Sequence, residues 1–421
     1  MNSPRRLVEI GVLAGCAFLL TGAILTQTLA PGDTPSEGNA LWRLILSISY
    51  FSVAAILIPY RRETLYVIRR NWPVIVLVGL AFVSCFWTET PALAFRRSIA
   101  VAGATLLGIA FAVRLSLEEQ LRIFSWVFRV IAVLSLVAVI FFPGYGISNT
   151  PEQEWRGILG YKNAFGSVMA MSALVEWQLL AYSRFSKILN WLALLLSCVL
   201  LYFSRSITPL VAVAGTFVLI EFYKFAVRRL RVPLYATLLV LLIILAVGGG
   251  VYATVGETIM NAMGRTSNLT GRTEIWSWVV SFILQRPILG YGYSGFWVGA
   301  SSASTTVERA VGAFTMYSHN GYLEIFLNLG LVGFLLTLIF LVIGAKRVYY
   351  WAKFANSSAN LWPLALFTFF LLYNLGECTI LLQDLQWSIC VAVFVATDPA
   401  LLPLHEESEE EIPLQSGAEF A

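Results

Sequence analysis

Charge is the scarcest property of this chain. Asp, Glu, Lys and Arg make up only 12% of its 421 residues, against 58% hydrophobic residues and a mean hydropathy of +0.77. Soluble domains are roughly half apolar and a quarter charged. The composition therefore excludes an ordinary soluble domain and points to a polytopic membrane protein. Histidine is nearly absent: His319 and the tail residue His405 are the only two. No DxD motif stands in an outer loop, so neither a metal nor another cofactor is expected. The five cysteines, Cys16, Cys85, Cys198, Cys378 and Cys390, contain no CxxC pair and lie in or near apolar segments. They read as small buried hydrophobes rather than ligands or disulfide partners. Basic residues are scattered, net charge is only +4, and no Lys/Arg stripe interleaves with aromatics. Nucleic acid is excluded as a partner on that ground.

What the chain does have is long apolar runs. Segments of a length that spans a bilayer, about 17–25 residues, are expected at about 7–27, 41–60, 73–88, 98–113, 122–142, 164–182, 187–203, 206–223, 232–252, 321–344, 361–376 and 381–398. The fold class is thus all-α: a polytopic membrane protein of about 12 transmembrane helices with one large loop at about 253–320. The first run continues into the polar turn PGDTPSEGN without a small-x-small site, so a retained span is expected rather than a cleaved signal. Residues 1–404 form the membrane domain. Residues 405–421, rich in glutamate, form an acidic disordered cytoplasmic tail.

Lysine and arginine set the orientation. With both termini inside, seventeen of the 28 basic residues fall on the inner side and ten on the outer, with Arg129 inside a span. The bias predicts an N-in/C-in topology. The outer ten are unevenly placed. Arg156 and Lys162 lie in EWRGILGYKN, Arg205 lies in FSRSIT, and Arg265, Arg272, Arg286 and Arg309 lie in the large loop. Single arginines at helix ends often only snorkel. Several on one face, beside the only large loop, point instead to an anion-binding site, since guanidinium forks hold phosphate bidentately.

Neighbouring residues fit that use. LTGRTEIW reads as a helix start, capped by Thr270 or Thr273, that runs on to Pro287. Free N–H groups at such a start favour an anion. GYGYSGFW supplies aromatics that either anchor the loop at the interface or stack on sugar rings. His319 opens the helix SHNGYLEIFLNLGLVGFLL, with Ser318 or Asn320 as its cap. Histidine titrates near neutrality and can accept a hydroxyl proton. Glu324 lies further into the same helix, where a carboxylate is either functional or orients the loop by pairing with an outer arginine.

LTGRTEIW, RPILGYGYSGFW and SHNGYLEIFLNLGLVGF together resemble the O-antigen ligase and polymerase superfamily of bacterial membrane glycosyltransferases. WRGILGYKNAFG, SRSIT and NLGECTILLQDLQW are similar to its succinoglycan-type exopolysaccharide polymerases, and the resemblance runs from about Trp155 to Trp387. Tyr161 stands where that branch usually carries histidine, and Thr266 where it usually carries an acid. The resemblance implies a metal-independent, inverting transfer from a polyprenyl-pyrophosphate-linked oligosaccharide at the periplasmic face of the bacterial inner membrane. Arg272 and His319 are the expected catalytic residues. Arg205, Arg265, Lys162, Arg156, Asn320 and Glu324 are the expected substrate-binding residues. The expected reaction is polymerisation of repeat units into exopolysaccharide. The alternatives are ligation of the glycan to lipid A core or protein, and, in different classes, a lipid-linked sugar transporter or a scaffold. A chain-length regulator and an export complex are the further candidate partners beside the lipid bilayer.

Overall fold

A computed structural model describes residues 4–23, 40–182, 187–230, 268–298, 302–312, 315–354 and 361–399. All regular elements among them are helical: α1 (Pro4–Leu20), α2 (Ala40–Leu57), α3 (Arg61–Arg70), α4 (Trp72–Val83), α5 (Pro91–Arg114), α6 (Leu117–Phe141), α7 (Lys162–Tyr182), α8 (Lys187–Phe203), α9 (Ile207–Tyr223), α10 (Asn268–Gln285), α11 (Ser302–Val311), α12 (Gly321–Phe354), α13 (Trp362–Tyr373) and α14 (Leu385–Ala396). Six described helices are long and apolar enough to cross a membrane, by length and composition. The expected span at 232–252, Arg265 and the tail at 405–421 lie outside the described residues.

Local chemistry sets the helix starts. Ser116 and Glu119 form a reciprocal capping box before α6. Proline opens α4, α5 and α13, where its missing N–H costs nothing. Asp384 caps α14 by accepting from the Trp387 N–H at 2.8 Å. The bundle centre is α14, buried along nearly its whole length. It crosses α5 so closely that a Cβ on Gly108 would lie 2.6 Å from the Ser388 carbonyl. Trp387 Nε1 donates to Thr105 Oγ1, and Ser388 Oγ to the Ala104 carbonyl, both at 2.9 Å. Small residues with hydroxyl bridges are what membrane helices use when lipid offers no hydrophobic gain. By contrast α8 exposes Ile188, Leu192, Leu195, Val199 and Tyr202 at helical spacing, a face suited to lipid.

One helix is broken, and the break positions the site. In α12, Gly330 has φ 63° and ψ −162°, outside helical space. The bonds that Leu331 and Val332 would make to Leu327 and Asn328 are absent. Instead Leu331 N donates to Pro287 O at 2.8 Å and Val332 N to Ile288 O at 3.3 Å. The freed Leu327 and Asn328 carbonyls accept from Tyr291 N at 3.0 Å and Gly292 N at 2.8 Å. Four loop bonds thus cross the break and satisfy the Leu327 and Asn328 carbonyls and the Leu331 and Val332 N–H groups. A Cβ at Gly330 would stand 2.2 Å from Ile288 O, so glycine is required both by its positive φ and by this close approach.

Candidate active site

The loop after α10 is stitched into the break, and its aromatics are buried with it. Tyr291, Tyr293, Phe296 and Trp297 are all under 8% exposed. The expectation that GYGYSGFW stacks on sugars or anchors at the interface is corrected: these rings form a core. Tyr293 OH donates to Leu381 O at 2.6 Å and Tyr291 OH to Phe282 O at 3.2 Å.

At the start of α12, Asn320 rather than Ser318 is the cap. Its Oδ1 accepts from Tyr322 N and Leu323 N, both at 3.1 Å. His319 precedes it in a left-handed conformation, φ 52°. Such a conformation is uncommon for a side chain with Cβ and is held by its surroundings.

The centre of the site is Glu377, buried at 3% exposure in the turn between α13 and α14. Arg272 of α10 donates from Nη2 to Glu377 Oε1 at 2.8 Å. Asn163, in the first turn of α7, donates from Nδ2 to the same oxygen at 3.1 Å. His319 Nδ1 lies 3.3 Å from Oε2. A second layer fixes these groups. Arg272 Nη1 donates to Thr208 Oγ1 at 2.9 Å and to Gly376 O at 2.7 Å, and Ser206 Oγ donates to Asn163 Oδ1 at 3.0 Å. Three chain segments far apart in sequence therefore converge on one carboxylate. The Arg272 and His319 side chains keep 19% and 21% exposure, so both reach the surface. Arg272 retains Nε–H and an Nη2–H outside these bonds. A carboxylate only accepts, so Nδ1 is the donor in this contact and Nε2 is the ring nitrogen left outside it.

The Tyr317 ring lies tilted beside the histidine, ring centroids 4.5 Å apart. Burial, reinforced by the charge of Glu377, pushes its phenol up, so it stays neutral. Cys378 is raised by burial in the same way and is no thiolate.

The other expected residues separate. Asn320 adjoins His319 and also donates to Leu375 O at 3.3 Å. Arg205 is exposed beside Ser206, has φ 56°, and lies 5.9 Å from the Tyr202 ring centre. Arg156 donates to the Tyr145 and Gly144 carbonyls at 3.0 and 3.1 Å, fastening its own loop. Lys162 is paired with Glu154. Glu324 pairs with no arginine side chain by hydrogen bond; it accepts from Ser318 N, Trp297 Nε1 and Asn328 Nδ2. Sequence reasoning did not single out Glu377, Asn163, Ser206, Thr208 or Tyr317. An acidic residue inside the apolar stretch NLGECTILL was the signal for Glu377. Among the described residues no group of three or more His, Cys, Asp or Glu side chains is placed to hold a metal.

Residues 192–338, roughly a third of the chain, match the family model described as O-antigen ligase. That stretch contains Arg205, Thr208, Arg272, His319 and Glu324, while Asn163 and Glu377 lie outside it. The chain is also similar to "Exopolysaccharide production protein ExoQ" of Rhizobium meliloti (strain 1021), 34% identical over 95 residues, which are 22% of this chain and 22% of that protein. The aligned part thus spans about a fifth of that relative. These matches support a likeness to the O-antigen ligase superfamily over the second half of the chain, and the long apolar helices fit a multi-pass membrane protein.

Proposed function

We propose that this protein polymerises polyprenyl-pyrophosphate-linked oligosaccharide repeat units into exopolysaccharide. The observation that carries this reading is the convergence of Arg272 and His319, a cation and a titratable base, on the single buried carboxylate Glu377. Arg272 holds the pyrophosphate through its remaining N–H groups and stabilises the charge that grows as it leaves. Arg205 and Arg265 assist it. His319 Nε2 takes the acceptor hydroxyl proton while the hydroxyl oxygen bonds to the anomeric carbon. The bond from that carbon to the phosphate oxygen breaks, polyprenyl pyrophosphate departs, and the anomeric configuration inverts. Glu377 orients the imidazole through Nδ1 and balances the imidazolium that forms. Asn320 lines the approach beside His319, whereas Arg156 and Lys162 hold the neighbouring loop through the Tyr145 and Gly144 carbonyls and Glu154.

In this reading the chain crosses the bacterial inner membrane twelve times, N-in and C-in. The Glu377 end then faces the periplasm, where glycan on its lipid carrier is presented. Residues 1–404 are the glycosyltransferase domain. The acidic tail at 405–421 offers a surface to a chain-length regulator or an export complex. The similarity to an exopolysaccharide production protein supports polymerase.

The matched family's description favours a second reading, ligation of the glycan to lipid A core or protein. Purified protein in liposomes, given lipid-linked repeat units alone, separates the two. A ladder of longer lipid-linked glycans that His319→Ala abolishes supports polymerase. Transfer only after lipid A core or protein is added supports ligase. Movement of the carrier across the bilayer without transfer by any acceptor overturns both in favour of a transporter.

A further inference from the structure

We propose that Glu324 is a positioning residue: its carboxylate clamps the turn that presents His319 and ties the Gly290–Trp297 loop to that turn. The inference rests on the reading of His319 given above. It reassigns Glu324, expected from the sequence to meet substrate, to a role exerted through the histidine.

Three donors converge on this one carboxylate. Oε2 accepts from the Ser318 backbone N–H at 2.8 Å and from Trp297 Nε1 at 3.1 Å, and Oε1 accepts from Asn328 Nδ2 at 2.9 Å. Each donor belongs to a different piece of the site. Ser318 directly precedes His319. Trp297 ends the loop whose backbone fills the break in α12. Asn328 sits at that break, its carbonyl accepting from Gly292 N at 2.8 Å. The Ser318 peptide is then held from its other side, because its carbonyl accepts from Trp276 Nε1 of α10 at 2.9 Å. Ser318 Oγ donates to the Asn320 carbonyl at 2.9 Å, bracing the turn internally. His319 stands between these fixed neighbours at φ 52°, a conformation the chain would leave if the Ser318 N–H were released. α10 also carries Arg272, so the same braces keep the histidine in register with the arginine.

Hydrogen bonding, not charge, is what such a clamp needs, and one detail makes the two separable. Asn328 Oδ1 is buried and has no hydrogen-bond partner among the described residues. A glutamine at 324 keeps an oxygen for Ser318 and Trp297, and its amide can donate to Asn328 Oδ1 after that side chain turns over. Glu324→Gln therefore preserves the clamp while removing the charge and the proton-accepting capacity. Glu324→Ala removes all three bonds.

The test uses the full chain in nanodiscs with His405→Asn, which leaves His319 as the single histidine. Isotope-labelled histidine then gives one imidazole signal set, read without substrate. Transfer from lipid-linked repeat units is measured on the same samples. Glu324→Ala is expected to shift or broaden the His319 signals and to lower kcat at least tenfold with KM within about threefold. Glu324→Gln is expected to restore both the signals and most of kcat. Glutamine as damaging as alanine would overturn the proposal and give the carboxylate a direct part in the chemistry. An unchanged His319 spectrum in Glu324→Ala would overturn it equally. If the parent protein transfers nothing while its His319 signals still respond to Glu324→Ala and recover in Glu324→Gln, the clamp stands and the reading of the site as a transferase fails.

Discussion

Two buried carboxylates sit at opposite ends of the bundle, each between two basic side chains, and they are built differently. Asp398, after α14, is fully buried. It accepts from Arg70 Nε at 2.7 Å and Nη2 at 3.1 Å and from Arg347 Nη2 at 2.8 Å. Arg347 is further tied to Asn71 Oδ1. Glu377, after α13, accepts one nitrogen of Arg272 and faces a histidine at 3.3 Å. Most of α12 lies between the clusters: at ~1.5 Å per residue it carries His319 and Arg347 roughly 40 Å apart. The Asp398 cluster is closed. Both partners are permanently charged, both carboxylate oxygens are filled, and no positive φ occurs beside it among the described residues. The Glu377 cluster instead joins one guanidinium to an imidazole, with a left-handed backbone at that ring. One arrangement ties helices together. The other holds a strained backbone at a partly exposed histidine, as a reactive site does.

If this contrast is correct, substitutions at the two ends separate activity from stability. Arg272→Ala and His319→Ala should have the largest effect. Each should lower transfer by roughly 10³-fold or more, the scale of losing a general base or a charge stabiliser, with helicity and expression retained. Polymer assays paired with circular dichroism check this. Next, Asp398→Ala should cost about 2–3 kcal/mol of stability. The figure sits below the 3–5 kcal/mol of a fully buried broken pair because Arg70 is 45% exposed. Activity per folded molecule should stay unchanged, read by denaturant midpoints against rates normalised to folded protein.

Glu377→Gln comes third. It keeps the shape and removes the charge that faces Arg272 and His319, and should lower kcat by about 100-fold with a smaller change in KM. Steady-state kinetics with lipid-linked donor measure it. Gly330→Ala should destabilise by about 1–3 kcal/mol through its positive φ, and more if the Ile288 carbonyl cannot move. Thermal unfolding reads that loss. Arg156→Ala should be the mildest in transfer, within about threefold, because its donors are spent on the Tyr145 and Gly144 carbonyls. A hundredfold loss there would place it on the substrate and blur the contrast.

Much of this contrast was legible in the residues, for physical reasons. A scarce histidine and clustered arginines stand out against a chain with 12% charge, so His319 and Arg272 were visible as types in context. Most described helices fall on the expected apolar runs, including the separate helices on either side of SRSIT, while the short polar α3 and α11 did not follow from apolar length. The partners were not legible because they are long-range. Glu377 reads as one acid in a hydrophobic stretch until the fold brings α10, α7 and α12 to it. The GYGYSGFW rings were misread because local sequence does not say whether a loop lies on a surface or inside a broken helix. That break was hidden as well: 321–344 reads as an uninterrupted span, and only the Pro287–Gly292 backbone makes a gap at Gly330 tolerable. Arg156 and Lys162 sit near the expected face, but their carbonyl and Glu154 partners could not be inferred from spacing.

The central claim is that Arg272 and His319 work as one unit through Glu377. A double-mutant cycle on transfer from lipid-linked repeat units tests it most directly, using Arg272→Ala, His319→Ala and the double variant, all with confirmed helical content. Residues that act as a unit are strongly non-additive. The account predicts that the double variant loses little more than either single one. Losses that multiply, or a single variant that retains near-parental transfer, would contradict it.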